Sequence, residues 1–227
     1  MVIIFDLDDT LYDEKTFVYS GFEQVASWIS NISNQPKEEI FNFMKTDLEK
    51  NGRGSIFDNT LEKYYKKNKT NIKNCINIYR LHKPKIQLKP EIINLLNELK
   101  QKYSLYIVTD GNKLVQTNKV NALGVENLVK KVYITYRYGL KASKPSLICF
   151  EKIKQLEGVN WGKLVYIGDN PKKDFVNLNS VNALTIRILQ GDFANLIVEK
   201  LYDAKYKINE LSEIIEIIKN ENQRIPN

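Results

Sequence analysis

Met1-Val-Ile-Ile-Phe-Asp-Leu-Asp-Asp-Thr-Leu-Tyr12 joins a run of β-branched and aromatic residues to a crowd of carboxylates. Val2, Ile3, Ile4 and Phe5 read as a strand buried on both faces. The strand delivers Asp6, Asp8 and Asp9 within four positions. Carboxylates gathered at one strand end repel one another, and burying them uncompensated is costly. A hard divalent cation with oxygen ligands answers that need. On these residues alone, a polar turn with an aspartate capping the next helix explains the cluster equally well.

Three later stretches bear on the choice. Leu105-Tyr-Ile-Val-Thr109-Asp-Gly111 is a second apolar strand ending in a hydroxyl and a glycine turn. Ser143-Lys144-Pro145-Ser-Leu-Ile-Cys-Phe150 sets a lysine before a proline able to open a helix. Lys163-Leu-Val-Tyr-Ile-Gly168-Asp169 is a third strand, with Asp174 five residues on. The order Asp-x-Asp, Thr, Lys, Gly-Asp-x-x-x-x-Asp resembles the motifs of the haloacid dehalogenase-like (HAD) hydrolase superfamily. The likeness runs from residue 2 to residue 174.

Between the first two motifs lie residues 13–83, where apolar positions recur at helical spacing and no strand alternation appears. Helices are expected over 15–33, 37–50, 58–68 and 71–81, with Asn51-Gly-Arg-Gly-Ser55 as a breaker and Pro84 and Pro90 at the exit. Such an insertion resembles the superfamily's helical cap of the first class. From Pro90 onward helices and strands alternate. Helices are expected over 90–100, 113–123 and 145–156, and strands over 104–109, 131–136, 164–167 and 183–188. That alternation predicts right-handed crossovers and a parallel sheet with its chemistry outside the carboxyl ends of the strands. The fold class is therefore α/β, a Rossmann-like parallel-sheet core with an inserted all-helical cap. The core is expected over 1–12 and 84–227, and the cap over 13–83. The apolar helix from Asn209 to Lys219 is expected to dock on the sheet, and the polar end, 220–227, to fray.

The resemblance implies a Mg²⁺-dependent phosphatase acting on a small phosphate monoester, a nucleotide or a sugar phosphate. Asp6 is then the nucleophile that becomes an aspartyl-phosphate, and Asp8 protonates the leaving oxygen and activates water. Asp6, the backbone carbonyl of Asp8, and Asp169 are the implied metal ligands, supported by Asp174. Thr109, the turn at Asp110 and Lys144 are the implied phosphate-binding groups, Lys144 supplying compact positive charge to the transferred phosphoryl. Lys141 competes with it locally, but the Lys-Pro pairing favours Lys144. A phosphomutase of the same superfamily is the runner-up, and a non-catalytic phosphate-binding or interaction protein the alternative from another class. The superfamily's dehalogenases and phosphonatases lack the second aspartate, present here as Asp8.

Other features call for structural roles. Asp9 reads as a turn stabiliser. His82, the one histidine, lies at the exit of the helical segment and reads as a packing or hydrogen-bonding residue. Cys75 and Cys149 form no metal or disulfide pattern and read as buried thiols. The 227 residues carry a formal charge of +7, with 43% hydrophobic and 27% charged residues, ordinary for a globular protein. The lysines are dispersed without a basic-aromatic cluster, so nucleic acid is not an expected partner, though positive charge favours an anionic substrate. No apolar run approaches the roughly 20 residues needed to span a bilayer, and Asp6 interrupts any leader-like stretch, so a cytoplasmic enzyme is expected. The sequence assigns no oligomeric state.

Overall fold

The computed structural model describes residues 1–224. The chain divides into two compact units, Met1–Glu14 with Gln87–Asn227, and Lys15–Ile86.

The first unit is built on a six-stranded sheet, parallel throughout. Its strands are β1 (Val2–Phe5), β2 (Ser104–Thr109), β3 (Lys131–Ile134), β4 (Leu164–Gly168), β5 (Leu184–Ile188) and β6 (Tyr206–Ile208), in the order β3-β2-β1-β4-β5-β6. β1 lies between β2 and β4, which explains why all four of its residues are apolar and buried. The register pairs Phe5 with Ile107 on one side and Ile167 on the other. Asp6, Thr109 and Asp169 therefore emerge at one edge of the sheet. The Asp6 N–H donates to the Ile167 carbonyl at 2.8 Å and carries the β1–β4 pairing one residue further. The strand order reverses between β1 and β4, the switch point where open α/β sheets bind ligands.

The second unit consists of α1 (Glu14–Ser33, whose first residue belongs to the sheet-bearing unit), α2 (Lys37–Asn51), α3 (Ile56–Tyr64) and α4 (Lys69–Leu81). Phe22, Val25, Ala26, Ile29, Ile40, Met44 and Leu61 form its core, at the helical spacing read from the sequence. Gly21 admits a close approach on α1: a Cβ there would fall 2.4 Å from the Tyr79 ring. Asp47 is buried and accepts from Asn51 Nδ2 at 2.8 Å and Asn59 Nδ2 at 3.0 Å, tying α2 to α3. His82 is buried against Phe17, at 4.9 Å between ring centres, with Nδ1 2.6 Å from the Tyr79 carbonyl, in keeping with its packing role.

The remaining helices, α5 (Pro90–Leu99), α6 (Lys113–Leu123), α7 (Ile148–Glu157), α8 (Val176–Ser180) and α9 (Ile214–Arg224), belong to the sheet-bearing unit. Pro90 sits in the first turn of α5, and Gly124 closes α6 in the left-handed conformation, φ 63°. Phe150 of α7 meets Tyr166 of β4 edge-on at 5.0 Å. Cys149 and Cys75 are both buried free thiols. No helix among the described residues is long and apolar enough to cross a membrane.

Several boundaries depart from the expected ones. β3 stops at Ile134 because its partner strand ends at Thr109, and Thr135–Tyr138 turn as a 3₁₀ segment. Pro145 does not open α7. It follows Lys144 through a cis peptide, within a turn closed by Ser146 N–H to the Ser143 carbonyl, and the helix starts at Ile148. α3 ends at Tyr64 because Asn68 is spent as the N-cap of α4, accepting from Asn71 N–H at 2.9 Å. β6 and α8 were not expected at all, being only three and five residues long. The C-terminal helix starts at Ile214, not Asn209, after a 3₁₀ turn over Leu211–Glu213, and Leu211 of that turn with Ile214 and Ile218 of the helix are buried, as expected of docking. The helix nevertheless continues to Arg224 instead of fraying from residue 220, because buried Glu221 accepts from Tyr206 Oη at 2.7 Å and Lys205 Nζ at 2.9 Å. Residues 225–227 of the expected frayed end lie outside the described residues.

At the opening residues of β2, the side chain of Glu157 accepts from Ser104 Oγ at 2.8 Å, Lys130 Nζ at 3.0 Å and the Tyr106 hydroxyl. Burial alone would raise this carboxyl; the bonds from Tyr106, Lys130 and Ser104 outweigh it and hold Glu157 below the usual glutamate range. A depressed folded-state pKa stabilises the protein above the unfolded value of about 4.3, and that contribution disappears as pH falls through the folded value. Glu157→Gln is accordingly expected to lower the urea midpoint at neutral pH, the gap from wild type closing as the buffer is taken well below pH 4. A gap of constant size across that range would contradict the assignment.

Candidate active site

Asp6, Asp169 and Asp174 converge beyond the ends of β1 and β4, each with an oxygen within 4.8 Å of the others. All three are buried. Gly168 makes room for this: a Cβ at that position would lie 2.5 Å from Asp174 Oδ2. Asp174 Oδ2 in turn accepts from the Asn170 N–H at 2.9 Å, folding the segment after β4 back toward the strand end.

Lys144 reaches the same point from the turn before α7. Its Nζ lies 2.7 Å from Asp174 Oδ1, 3.0 Å from Asp6 Oδ1 and 2.9 Å from the Tyr166 hydroxyl, which itself donates to Asp174 Oδ1 at 3.1 Å. Burial pulls the ammonium down, but Asp174 and then Asp6 outweigh it and hold Lys144 well above the usual lysine range. Lys141, its local competitor in the sequence, is exposed.

The carboxylates exceed the positive charge at hand. Burial pushes Asp6 up despite Lys144, and burial together with Asp6 and Asp174 pushes Asp169 further up. Asp6 Oδ1 is enclosed, close to Lys144 but outside hydrogen-bonding geometry, and accepts no hydrogen bond. An all-oxygen donor set with excess negative charge and an uncommitted buried oxygen fits a hard divalent cation such as Mg²⁺.

Thr109 is fully buried, with Oγ1 accepting from Gln116 Nε2 at 2.7 Å, which leaves its hydroxyl proton for an incoming acceptor. The Asp110 carboxylate turns elsewhere. It accepts from Thr135 Oγ1 at 2.6 Å and from the Lys144 N–H at 3.1 Å, fixing the lysine turn against the end of β2. A carboxylate offers a phosphate no donor, so the group that Asp110 has for binding one is its backbone N–H.

Asp8 stands apart from the carboxylate cluster. Its Oδ1 accepts from Tyr12 Oη at 2.6 Å and Lys119 Nζ at 2.7 Å, and its Oδ2 from Gln116 Nε2 at 2.9 Å. Asp9, at φ 48°, caps the start of α1 by accepting the Glu14 N–H at 2.9 Å, the turn role expected of it. Gln190 clamps this turn from the far side, its Nε2 2.6 Å from the Asp9 carbonyl and 3.0 Å from that of Thr10. Gly191 beside it has no room for a side chain, since a Cβ would meet the Asp9 carboxylate at 2.5 Å.

Tyr12, Gln116, Lys119, Tyr166 and Gln190 were not among the expected site residues. Gln116 and Lys119 are three apart on α6 and so share a face. Their one sequence signal is that the stretch from Leu114 to Asn121 lacks the continuous apolar stripe of a docked helix.

Residues 3–188 match the haloacid dehalogenase-like hydrolase family. A relative from Methanocaldococcus jannaschii is 32% identical over 225 residues, spanning 96% of each chain. The chain belongs to the haloacid dehalogenase-like hydrolase family. The M. jannaschii relative is a glyceraldehyde 3-phosphate phosphatase. A protein of the same name from Pyrococcus furiosus is 29% identical over 128 residues, covering 56% of this chain and 52% of its own. Among solved structures of the family, a phosphatase from Thermococcus onnurineus superposes with a TM-score of 0.60 at 24% identity, over 96% of this chain and 97% of that one. A magnesium-bound hydrolase from Bacillus subtilis gives 0.66 at 18% identity, over 96% and 97%. At such identities the likeness is one of fold.

Proposed function

We propose that this HAD-family phosphatase hydrolyses the phosphate monoester of a small phosphorylated sugar, with glyceraldehyde 3-phosphate the first substrate to test, by transfer of the phosphoryl group to Asp6 and then to water. The observation that carries the reaction is Asp6 itself. It is a buried carboxylate with an uncommitted oxygen, at the switch point of a parallel sheet, beside a buried ammonium. The near-full-length relative supports the substrate class.

Asp6, Asp169, Asp174 and the backbone carbonyl of Asp8 would hold Mg²⁺, which when bound supplies positive charge to the phosphoryl oxygens and aligns them for in-line displacement. Lys144 adds a fixed positive charge, and Thr109 donates its hydroxyl to a non-bridging oxygen. Asp6 attacks phosphorus as the bond to the leaving oxygen breaks, and Asp8 gives that oxygen a proton. Asp8 then takes a proton from water, whose oxygen displaces Asp6 and releases inorganic phosphate. The phosphoryl machinery is common to all monoesters, so we assign the choice among them to the helical insertion, residues 13–83, acting as a cap on a core of residues 1–12 and 84–227.

The test is phosphate release by the purified protein from glyceraldehyde 3-phosphate, hexose phosphates and nucleoside monophosphates, with Mg²⁺ and with EDTA. The triose phosphate is expected to show the highest kcat/KM, EDTA to abolish turnover and added Mg²⁺ to restore it. Undiminished activity in metal-free buffer would contradict the metal assignment, and a preference for nucleotides would contradict the substrate class.

A further inference from the structure

We propose that Lys119, together with Gln116, is a positioning residue for the acid-base carboxylate of Asp8, orienting it to deliver a proton to the leaving group. The inference rests on the phosphomonoester reading above and adds to it two residues of α6.

Lys119 is an unusual lysine. Its side chain is only 3% exposed, and its Nζ lies between Asp8 Oδ1 at 2.7 Å and Glu14 Oε1 at 2.8 Å. Lysines are almost never enclosed in this way unless paired, because the ammonium loses its hydration. A turn aspartate needs only backbone N–H groups, as Asp9 shows with Glu14. Asp8 instead draws its donors from three side chains, two of them on a helix more than a hundred residues away.

Those donors fix the rotation of the carboxylate. Oδ1 receives both Tyr12 Oη and Lys119 Nζ, which occupies its two lone pairs. Oδ2 receives Gln116 Nε2 and keeps one lone pair, the place where a transferable proton sits. Gln116 also ties this oxygen to the phosphate-binding hydroxyl. The same amide nitrogen, with two protons to donate, lies 2.9 Å from Asp8 Oδ2 and 2.7 Å from Thr109 Oγ1. One planar group thereby sets the distance between the proton donor and the phosphoryl site, and Lys119 sets the direction from which the proton leaves.

Orientation of this kind has a signature distinct from general support of the fold. A nitrophenolate leaves without help from an acid, whereas an alkoxide needs a proton as the bond to phosphorus breaks. General acid catalysis contributes about 10²- to 10⁴-fold when the acid is well placed. In an aspartyl-phosphate mechanism kcat/KM reports the steps through the first bond cleavage, where that proton moves. The experiment compares kcat/KM for glycerol phosphate and for p-nitrophenyl phosphate in wild type, Lys119→Met and Gln116→Leu. Lys119→Met keeps the length of the side chain, and Gln116→Leu keeps its shape. Lys119→Met is expected to lose about 10- to 100-fold on the alkyl ester and little on the nitrophenyl ester, whereas Gln116→Leu, which also releases Thr109, is expected to lose activity on both esters but about 10-fold more on the alkyl one. If Lys119→Met fails to fold, Gln116→Leu reads the same split. Parallel losses on both esters, or none, would overturn the positioning role while leaving the phosphatase reading intact. A wild-type protein that cleaves neither ester would overturn that reading itself, and this inference with it.

Discussion

Asp6→Asn is expected to reduce turnover by on the order of 10³-fold or more while leaving the protein folded. The amide matches the carboxylate in shape and carries no nucleophilic charge, so the phosphoryl group has nowhere to go. The fold does not depend on that charge. Burial pushes the Asp6 carboxyl above its ordinary range, so in metal-free buffer at neutral pH its ionised form opposes folding. Lys144 loses one neighbour in the variant but keeps Asp174 at 2.7 Å and Tyr166 at 2.9 Å. The metal-free thermal midpoint should therefore stay level or rise. Acid-quenched wild-type protein should show a phosphorylated species by mass spectrometry, and the variant none. Wild-type turnover by Asp6→Asn would remove Asp6 from the reaction.

What the sequence made readable follows a physical rule. Asp6, Thr109 and Asp169 each end an apolar run, and a parallel register that pairs Phe5 with both Ile107 and Ile167 brings such ends to one edge. Chemistry placed directly at a strand terminus is visible because the strand itself is visible. The same locality explains why β2 and α6 lie where periodicity puts them, bounded by Thr109 and by Gly124. Lys144 was read from its place in a motif, yet the inference that Pro145 opens the helix failed, because a proline can serve a turn as well as a first helical residue.

The less readable part of the site consists of side chains that support those termini from elsewhere. Gln116 and Lys119 sit where a polar residue on a helix ordinarily meets water, and only the tertiary fold shows them buried against Asp8. Tyr166 reads as strand core, which it is, while its hydroxyl at the far end of the ring joins Lys144 to Asp174. Gln190 follows the last long strand and clamps a turn 180 residues earlier. Periodicity reports which face of an element is apolar; it does not report which polar atom a distant loop will need.

Lys144→Met should damage both catalysis and folding, which sets it apart from Asp6→Asn. Lys144 is 1% exposed at its side chain, with Asp6 at 4% and Asp174 fully enclosed. Removing one partner of so buried an assembly leaves negative charge uncompensated, at a cost of about 3–5 kcal/mol. Methionine fills the space of the stem but cannot neutralise Asp174 or donate to the Tyr166 hydroxyl. Loss of a preorganised charge aimed at the phosphoryl group is worth about 10²- to 10³-fold in kcat. Arginine is no substitute, because its planar fork is larger than the compact ammonium that three oxygens surround at 2.7, 2.9 and 3.0 Å. In metal-free buffer the thermal midpoint of Lys144→Met should fall well below that of wild type. Mg²⁺ should raise the midpoint of the variant more than that of wild type, since the bound cation restores charge that the lysine no longer supplies. Activity within threefold of wild type, or a midpoint shift by Mg²⁺ no larger than that of wild type, would mean that Lys144 does not share the carboxylate cluster with a metal ion as assigned here.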